Sequence, residues 1–471
     1  MSDVSSVTEE LAPAPGRLGR LRSECARTFV LALPLVGGQL LLIAMNLADT
    51  ILAGQLSTGT LAAVSMGYNA WIVALLIVIG VLMAVTPAVA QLDGARRRGE
   101  VGRVFRQAVW IALGMGVLLF AGLRHADPLL ELAKVAPEIR PGAREFFHAI
   151  AWGAPALALF TTAKSTSEGL SLTKPTLYVS ALGLVLLVPL AWALMYGELG
   201  APKLGAAGAG YAHAAVLWVE ALVYLAVLRF GPRYRDARLF ERFDAPNLAV
   251  IGRLLRVGLP MGVSTFMEGS LFVATAWLSG SFGQIAASSH AIALNVASVT
   301  FMVPLGIGMA TTVRVGNAVG RRDPAGVVWA GAAGLTLVLI AQTIAASALF
   351  LAPRAIAGLY SDDAEVLELA ATLLGLAAVF QFSDGVQVLF NGALRGLEDT
   401  LVPAFITIVS YWAIGLTCGW WLGKELEQGP TGLWKGLVAG LTAAAVLLCA
   451  RFAWKARAGV RSSLVQDPAG G

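Results

Sequence analysis

The sequence has little charge: Asp, Glu, Lys and Arg make up 13% of its 471 residues, whereas soluble proteins carry about 25%. Cysteine and histidine are also scarce, with three and four residues scattered along the chain. This scarcity argues against a disulfide framework and against a metal site of clustered Cys and His ligands. A Gly-rich phosphate loop, a paired His–acid motif and a nucleophile elbow are all missing, so the usual signatures of an enzyme are lacking.

Apolar residues, by contrast, make up 57% of the chain, and its mean hydropathy is +0.74. An apolar run of about 20 residues is needed to cross the hydrocarbon of a membrane. We therefore predict an all-α integral membrane protein with twelve transmembrane helices. The predicted spans are 28–52, 60–91, 104–123, 145–165, 175–196, 207–230, 251–279, 285–316, 326–351, 365–389, 400–423 and 432–454.

Lys and Arg indicate the orientation of these helices, because cytoplasmic loops carry an excess of both. If the N-terminus is cytoplasmic, 26 of the 34 Lys and Arg residues fall on the inner side and 8 on the outer side. Both termini are therefore predicted to be cytoplasmic. The net charge of +5 follows from these basic loops and requires no nucleic-acid partner.

The chain also contains an internal repeat. A shift of 226 positions places Leu33-Pro34 on Leu259-Pro260 and aligns further identical residues without a gap over about 60 positions. These pairs include Gly54 with Gly280, Asn69 with Asn295, Gly80 with Gly306, Gly94 with Gly320 and Arg96 with Arg322. Because each copy holds an even number of spans, we expect two parallel six-helix lobes related by a pseudo-twofold axis along the membrane normal.

Five segments follow from the repeat and the spans. They are a cytoplasmic tail at 1–27, an N-lobe at 28–230 with helices 1–6, a cytoplasmic linker at 231–250, a C-lobe at 251–454 with helices 7–12, and a cytoplasmic tail at 455–471. The linker is the most polar connection, as a tether between two moving bundles would be.

Four acidic residues lie well inside the predicted spans: Asp49, Glu220, Glu268 and Asp384. An ionised side chain at the bilayer centre costs about 2.5–3.5 kcal/mol on insertion scales, so such residues are functional candidates unless a neighbouring helix pairs them. A carboxyl in apolar surroundings can hold a proton in one state and release it in another. A cationic substrate can then compete with a proton or Na⁺ for one negative charge. For Glu220, whose polar neighbour on the same helix is His213, a structural role is equally open.

The two copies do not share these acids, because Asp49 aligns with Thr275 and Glu268 with Leu42. Aromatic residues also surround the acids, and aromatic faces attract organic cations. Ordinary helix packing explains most of them. The candidate cavity residues are Gln39, Tyr68, Phe266 and Phe380.

A series of motifs in order along the chain resembles the multidrug and toxic compound extrusion (MATE) family, in its NorM branch. They are ADTILAG (48–54), LAAVS (61–65), TPAVAQLDGARR (86–97), SLTKP (171–175), FMEGSLF (266–272), HAIALN (290–295), RVGNAVG (314–320), SDGVQV (383–388) and LRGLEDT (394–400). The resemblance extends from about Leu31 to Arg451. It implies a two-lobe exporter of the bacterial inner membrane that exchanges amphipathic, mainly cationic drugs and dyes for H⁺ or Na⁺. The family's first-helix acid falls on Asp49, and its two C-lobe acids fall on Glu268 and Asp384.

The chain departs from the pattern of this branch at several positions. Phe380 stands where the branch usually has a tyrosine, Leu187 and Ala191 replace an asparagine pair, and Ala291 replaces a glutamine. Because hard cations need several oxygen ligands, these losses favour H⁺ over Na⁺ as the coupling ion. Na⁺ binding at Glu268 and Asp384 stays open, and no other cofactor is expected.

The sequence therefore predicts a monomeric secondary active multidrug efflux antiporter that works by alternating access, contributes to antibiotic resistance and contacts membrane lipid. A flippase for a lipid-linked substrate is the first alternative, but it would carry basic residues inside its spans, where this chain carries acids. A polytopic membrane enzyme is the second, and it would need a cluster of His and acidic residues at a membrane face.

Overall fold

The computed structural model describes residues 16–126 and 138–466, and within these the side chains of all but residues 69, 70 and 460–466. The described residues form helices and short connections and contain no β-strand. Of the predicted tails at 1–27 and 455–471, residues 1–15 and 467–471 lie outside the described residues. The all-α architecture with twelve helices long and apolar enough to span a membrane is confirmed.

We number these helices α1 to α12 in chain order. They are Arg17–Leu56, Thr58–Gly94, Arg98–Arg124, Arg140–Gly169, Lys174–Tyr196, Ala206–Phe230, Leu248–Gly280, Gln284–Gly320, Pro324–Leu351, Ala364–Gly396, Leu401–Glu425 and Gly429–Gly459. Most extend beyond the predicted apolar runs because polar turns continue the helix at its ends. The helix of α1, for example, begins at Arg17, within the segment predicted as a polar tail.

The twelve helices form two lobes, α1–α6 and α7–α12, as the repeat predicts. The apolar core of the first lobe includes Phe146 and Tyr224, and that of the second includes Tyr411 and Trp434. Lipid tails are as apolar as leucine, so close packing holds such helices together more than the hydrophobic effect does. Small residues at helix contacts are therefore informative about the fold.

Helices α11 and α12 pack along a seam of small residues. The seam consists of glycines at four-residue spacing on both helices: Gly415, Gly419 and Gly423 on α11, and Gly432, Gly436 and Gly440 on α12. A Cβ atom added to Gly436 would lie 2.2 Å from the Cα of Gly419, so the backbones touch. This spacing places the glycines on one face of each helix and permits the close approach.

The two lobes meet where the C-terminal ends of α2 and α8 cross. A Cβ atom at Gly94 would lie 2.2 Å from the backbone oxygen of Asn317, and one at Gly320 would lie 2.0 Å from the backbone oxygen of Gln91. The shift of 226 positions maps each of these contacts onto the other. We call these four residues the lobe crossing.

Hydrogen bonds at the lobe crossing obey the same symmetry. Gln91 Nε2 donates to the backbone oxygen of Gly396 at 3.1 Å, and Asn317 Nδ2 donates to Ser171 Oγ at 3.0 Å. Ser171 follows the end of α4 and Gly396 is the last residue of α10, so the two acceptors lie at corresponding places in the two lobes. The pseudo-twofold relation predicted from the sequence is thus confirmed by the contacts.

A second pair of symmetric contacts lies deeper between the lobes. A Cβ atom at Gly80 of α2 would lie 2.5 Å from the Cα of Gly262, and one at Gly306 of α8 would lie 2.5 Å from Val36 Cγ2. The repeat places Gly80 on Gly306 and Val36 on Gly262. The lobes therefore touch through the N-terminal part of α1 and the C-terminal part of α2, together with the corresponding parts of α7 and α8.

The connection between the lobes is attached to the first lobe. After a short 3₁₀ helix at Pro232–Ala237, Asp244 accepts a hydrogen bond from Arg106 Nε of α3 at 2.7 Å. Trp110 Nε1 of α3 donates to the backbone oxygen of Asp244 at 3.0 Å. The Arg106 guanidinium holds the pKa of this carboxyl below its ordinary value. Asn247 then accepts from the backbone N–H of Val250 and so caps the start of α7.

Candidate functional site

The first-lobe acid, Asp49, lies inside that lobe. It is on the same stripe of α1 as Met45 and Ala53, which are spaced four residues apart and belong to the core of the first lobe. The residue is 3% exposed. The spacing of apolar neighbours therefore directs its carboxyl away from lipid and into the helix bundle.

Asp49 faces a histidine of α6. Its Oδ2 atom lies 2.9 Å from Nδ1 of His213, and its Oδ1 atom has no hydrogen-bond partner among the described residues. The ring of Tyr68 from α2 stands edge-on to the imidazole, with centroids 5.9 Å apart. The structure thus brings Asp49 and Tyr68, two candidate residues, together around His213.

Small residues explain how α6 brings His213 inward. The helix begins AAGAGYAHAA, and a Cβ atom at Gly210 would lie 2.8 Å from the backbone oxygen of Phe146 on α4. Glu220 lies two helical turns beyond His213 and is 2% exposed. Its Oε1 atom has no partner among the described residues and packs against Gly183 of α5. Glu220 therefore belongs to the same buried polar region as Asp49.

The second-lobe acids are also brought together. Glu268 on α7 is half-buried, Asp384 on α10 is 3% exposed, and the two carboxyls are close enough for their charges to interact. The buried guanidinium of Arg395 interacts electrostatically with Glu268, and the hydroxyl of Tyr411 interacts with both carboxyls. Tyr411 also accepts a hydrogen bond from Gln387 Nε2.

Several oxygens in this second-lobe region could bind a cation. Asp384 Oδ1, Gln381 Oε1 and Gln387 Oε1 are buried and have no hydrogen-bond partner in the part of the chain that the structure describes. Carboxylate and amide oxygens are the ligands that hard cations prefer. Phe380 lacks the hydroxyl of the tyrosine that the family pattern has at this position, but these other oxygens remain available to a cation. Within residues 16–126 and 138–466, no three His, Cys, Asp or Glu residues form a metal-binding group.

The four candidate cavity residues occupy different surroundings. Gln39 of α1 is half-buried with its amide 3.7 Å from Met309 Sδ of α8, so it bridges the lobes. Phe266 is half-buried two residues before Glu268. Phe380, in contrast, is 2% exposed and packs against Phe272 and Trp434. The structure therefore places Phe380 in the core of the second lobe.

Several residues of the two acidic regions were not predicted from the sequence. His213 was noted only as a neighbour of Glu220, and its small-residue helix was the available signal of burial. Arg395 was counted among the inner-side charges, whereas it is buried in the last turn of α10. The expectation of four acids inside the spans omits Glu168, which is buried at the end of α4 with Lys164 Nζ 3.9 Å away. Tyr411 lies in an apolar run, and nothing in the sequence around it indicated that it would interact with the acids.

The two acidic regions lie in different lobes and are not copies of each other. Thr275, which the repeat places on Asp49, is buried and donates to its own helix at the backbone oxygen of Phe272. Leu42, placed on Glu268, is an exposed apolar residue. The two lobes therefore contain different sets of buried acids.

Comparisons with known proteins agree with this architecture. The MatE family model matches residues 34–193 and 260–421, and the two matches begin at the offset of the internal repeat. The chain is 45% identical over 439 residues to the "Probable multidrug resistance protein NorM" of Xanthomonas campestris, covering 93% of this chain and 96% of that protein. It is 40% identical to the "Multidrug resistance protein PmpM" of Pseudomonas aeruginosa, covering 94% of each.

The fold has also been seen in solved structures. One is described as the "Outward-facing conformation of a multidrug resistance MATE family transporter of the MOP superfamily"; it superposes with a TM-score of 0.83 at 19% identity, covering 95% of this chain and 99% of that one. At this identity the likeness concerns the fold alone. The family match and the relative at 45% identity show that this multi-pass membrane protein belongs to the MatE family and is a transporter rather than an enzyme.

Proposed function

We propose that the chain is a secondary active multidrug efflux antiporter that exports amphipathic, mainly cationic compounds in exchange for H⁺. The observation that carries the proposal is the burial of an acid in each lobe, Asp49 and Asp384, each with one oxygen lacking a partner among the described residues. An anion in such surroundings is costly unless a cation neutralises it. A proton and an organic cation are alternative ways of doing so.

The orientation of the lobes in the membrane supports export. The loops beside the lobe crossing carry Arg96, Arg97, Arg98, Arg321 and Arg322, and basic loops favour the cytoplasmic side. We therefore infer that both termini and the linker face the cytoplasm, that the membrane is the bacterial inner membrane, and that the lobe contacts close the inner side. Alternating access then requires these contacts to separate when the inner side opens.

For the coupling ion, we infer that H⁺ acts in the first lobe. Leu187 and Ala191 of α5, which stand where the family pattern has an asparagine pair, are completely buried and offer no side-chain oxygen. The second-lobe region around Glu268 and Asp384 contains the oxygens that Na⁺ would need, so it accommodates either ion. We infer that the transporter functions as a monomer surrounded by lipid, with its lobes as the moving units.

Transport by purified protein in proteoliposomes tests this function. Accumulation of tetraphenylphosphonium is measured with a pH gradient, a Na⁺ gradient or neither. We expect uphill accumulation with the pH gradient, and its loss in Asp49→Asn. The matched control is Asp362→Asn, at an exposed loop position, which should retain transport. Accumulation driven by Na⁺ alone would contradict H⁺ coupling, and full activity of Asp49→Asn would remove Asp49 from the mechanism.

The flippase alternative requires cationic groups that are free to bind a pyrophosphate inside the spans. Arg395 is a buried cation, and it interacts electrostatically with the carboxyl of Glu268. The antiporter therefore remains the better supported function. Transport of tetraphenylphosphonium in liposomes without lipid-linked sugars separates the two, because a flippase would show none.

A further inference from the structure

The contact between Asp49 and His213 is short and buried. The two atoms Asp49 Oδ2 and His213 Nδ1 are 2.9 Å apart, and both residues are buried. Opposite charges at this distance attract each other more strongly in a buried site than in water. A carboxylate beside a neutral imidazole gains no such attraction to offset the loss of its hydration. The contact is therefore most favourable if the imidazole carries a positive charge.

The groups around His213 also favour a positively charged imidazole. Asp49 faces it from α1, the ring of Tyr68 faces it from α2, and Glu220 lies on its own helix. From α4, the ammonium of Lys164 interacts with Glu220, and from α5 the uncharged Gly183 packs against Glu220. Lys164 is also paired with Glu168. Among the described residues, His213 is the side chain with a basic nitrogen that lies within ion-pair distance of Asp49.

Removing the partner of a buried charge is strongly unfavourable, because the remaining charge is uncompensated. Asp49 is buried, and the residues of α5 that stand where the family pattern has amides are the apolar Leu187 and Ala191. Imidazole is also the side chain whose charge changes most readily near neutral pH. The pair can therefore exist as a neutral ion pair with one exchangeable proton or, after that proton leaves, with a net negative charge.

We propose that His213, rather than Asp49, carries the exchanged proton of the first lobe. In the drug-free state the imidazolium of His213 neutralises the carboxylate of Asp49. When a cationic drug binds, the imidazolium releases its proton to water, and the charge of the drug compensates the negative charge left on the pair. The reverse exchange reloads His213. This inference rests on the proposed function, and it names the atom group that holds the coupling proton.

Histidine nitrogen NMR on ¹⁵N-histidine-labelled protein in lipid nanodiscs tests the proposal directly. The chain has four histidines, His125, His148, His213 and His290, so His→Asn variants assign each signal. If His213→Asn does not fold, the other three variants identify the His213 signal by elimination. At pH 7 we expect His213 to give an imidazolium signal that becomes neutral when tetraphenylphosphonium saturates the protein.

Two variants make the test specific. Asp49→Asn should convert the His213 signal to neutral imidazole even without drug, whereas the control His148→Asn should leave it as imidazolium. A His213 signal that is neutral without drug, or that is unchanged by drug, would overturn the proposal. If the same protein still accumulates tetraphenylphosphonium with a pH gradient in proteoliposomes, only this inference fails. If it does not, the proposed function fails as well.

Discussion

Replacing a glycine of the lobe crossing by alanine should open the inner side of the protein. At Gly94 the new Cβ atom would lie 2.2 Å from the backbone oxygen of Asn317, and at Gly320 it would lie 2.0 Å from that of Gln91. Both neighbours are backbone atoms, so no side-chain rotation relieves the overlap. The lobes must move apart instead.

The magnitude follows from the cost of overpacking a tight contact, about 1–3 kcal/mol for one added methyl group. That cost applies only to the state in which the lobes touch. Since 1.4 kcal/mol corresponds to a factor of ten, Gly94→Ala or Gly320→Ala should lower the ratio of closed to open inner side about 5- to 150-fold. The matched control is Gly252→Ala in α7, whose Cβ atom would have no neighbour within 4 Å.

Double electron–electron resonance measures the opening. Spin labels at the exposed positions Arg103 and Arg321 report the distance between the lobes on this side, after the three free cysteines are replaced. We expect the distance distributions of both crossing variants to shift to longer distances and that of Gly252→Ala to match the parent. Unchanged distributions in both crossing variants would refute the interpretation of this contact as the inner closure.

Three further predictions concern contacts outside the acidic regions. Asp244→Asn should lower thermal stability in detergent at pH 5–8. Because the pKa of Asp244 in the folded protein is lowered from 3.8, the difference in stability from wild type should persist above that pH and vanish as the pH falls below it. A difference that persists at lower pH would contradict a contribution from the ionised carboxyl. Glu24→Gln should weaken the contact between the lobes. Glu24 accepts a hydrogen bond from Arg314 Nη2 of the other lobe at 2.6 Å, and a hydrogen bond to a charged group contributes about 1.5–3 kcal/mol. Equal melting temperatures of variant and wild type would contradict this. Gly436→Ala should destabilise the α11–α12 seam by about 1–3 kcal/mol, and an unchanged unfolding midpoint would show that the seam tolerates a methyl group.

The architecture could be predicted from the sequence because each feature has a local signal. Apolar runs of sufficient length identified the helices, and the repeat of 226 positions identified the lobes. The same repeat accounts for the symmetric contacts of Gly94 and Gly320, although the sequence alone does not show which repeated residues touch. The identity of the acids was also visible, since few carboxyls occur inside apolar spans.

The partners of these acids were not predictable, because contacts between helices distant in sequence decide them. Nothing near Asp49 in the chain indicates that α6 brings His213 to it. Tyr411 lies in an apolar segment with wide π-helical turns, so neither helical periodicity nor composition indicates the face it occupies. Phe380 was named as a candidate cavity residue, whereas its neighbours Phe272 and Trp434 enclose it in the lobe core.

The central claim is that buried carboxyls in the two lobes couple export to an ion gradient. Its most direct test is the accumulation of tetraphenylphosphonium in everted membrane vesicles containing the triple variant Asp49→Asn, Glu268→Gln and Asp384→Asn, with its insertion verified. We predict that a pH gradient drives uphill accumulation by the wild type and none by the triple variant. Uphill accumulation at the wild-type level by the triple variant would contradict the account.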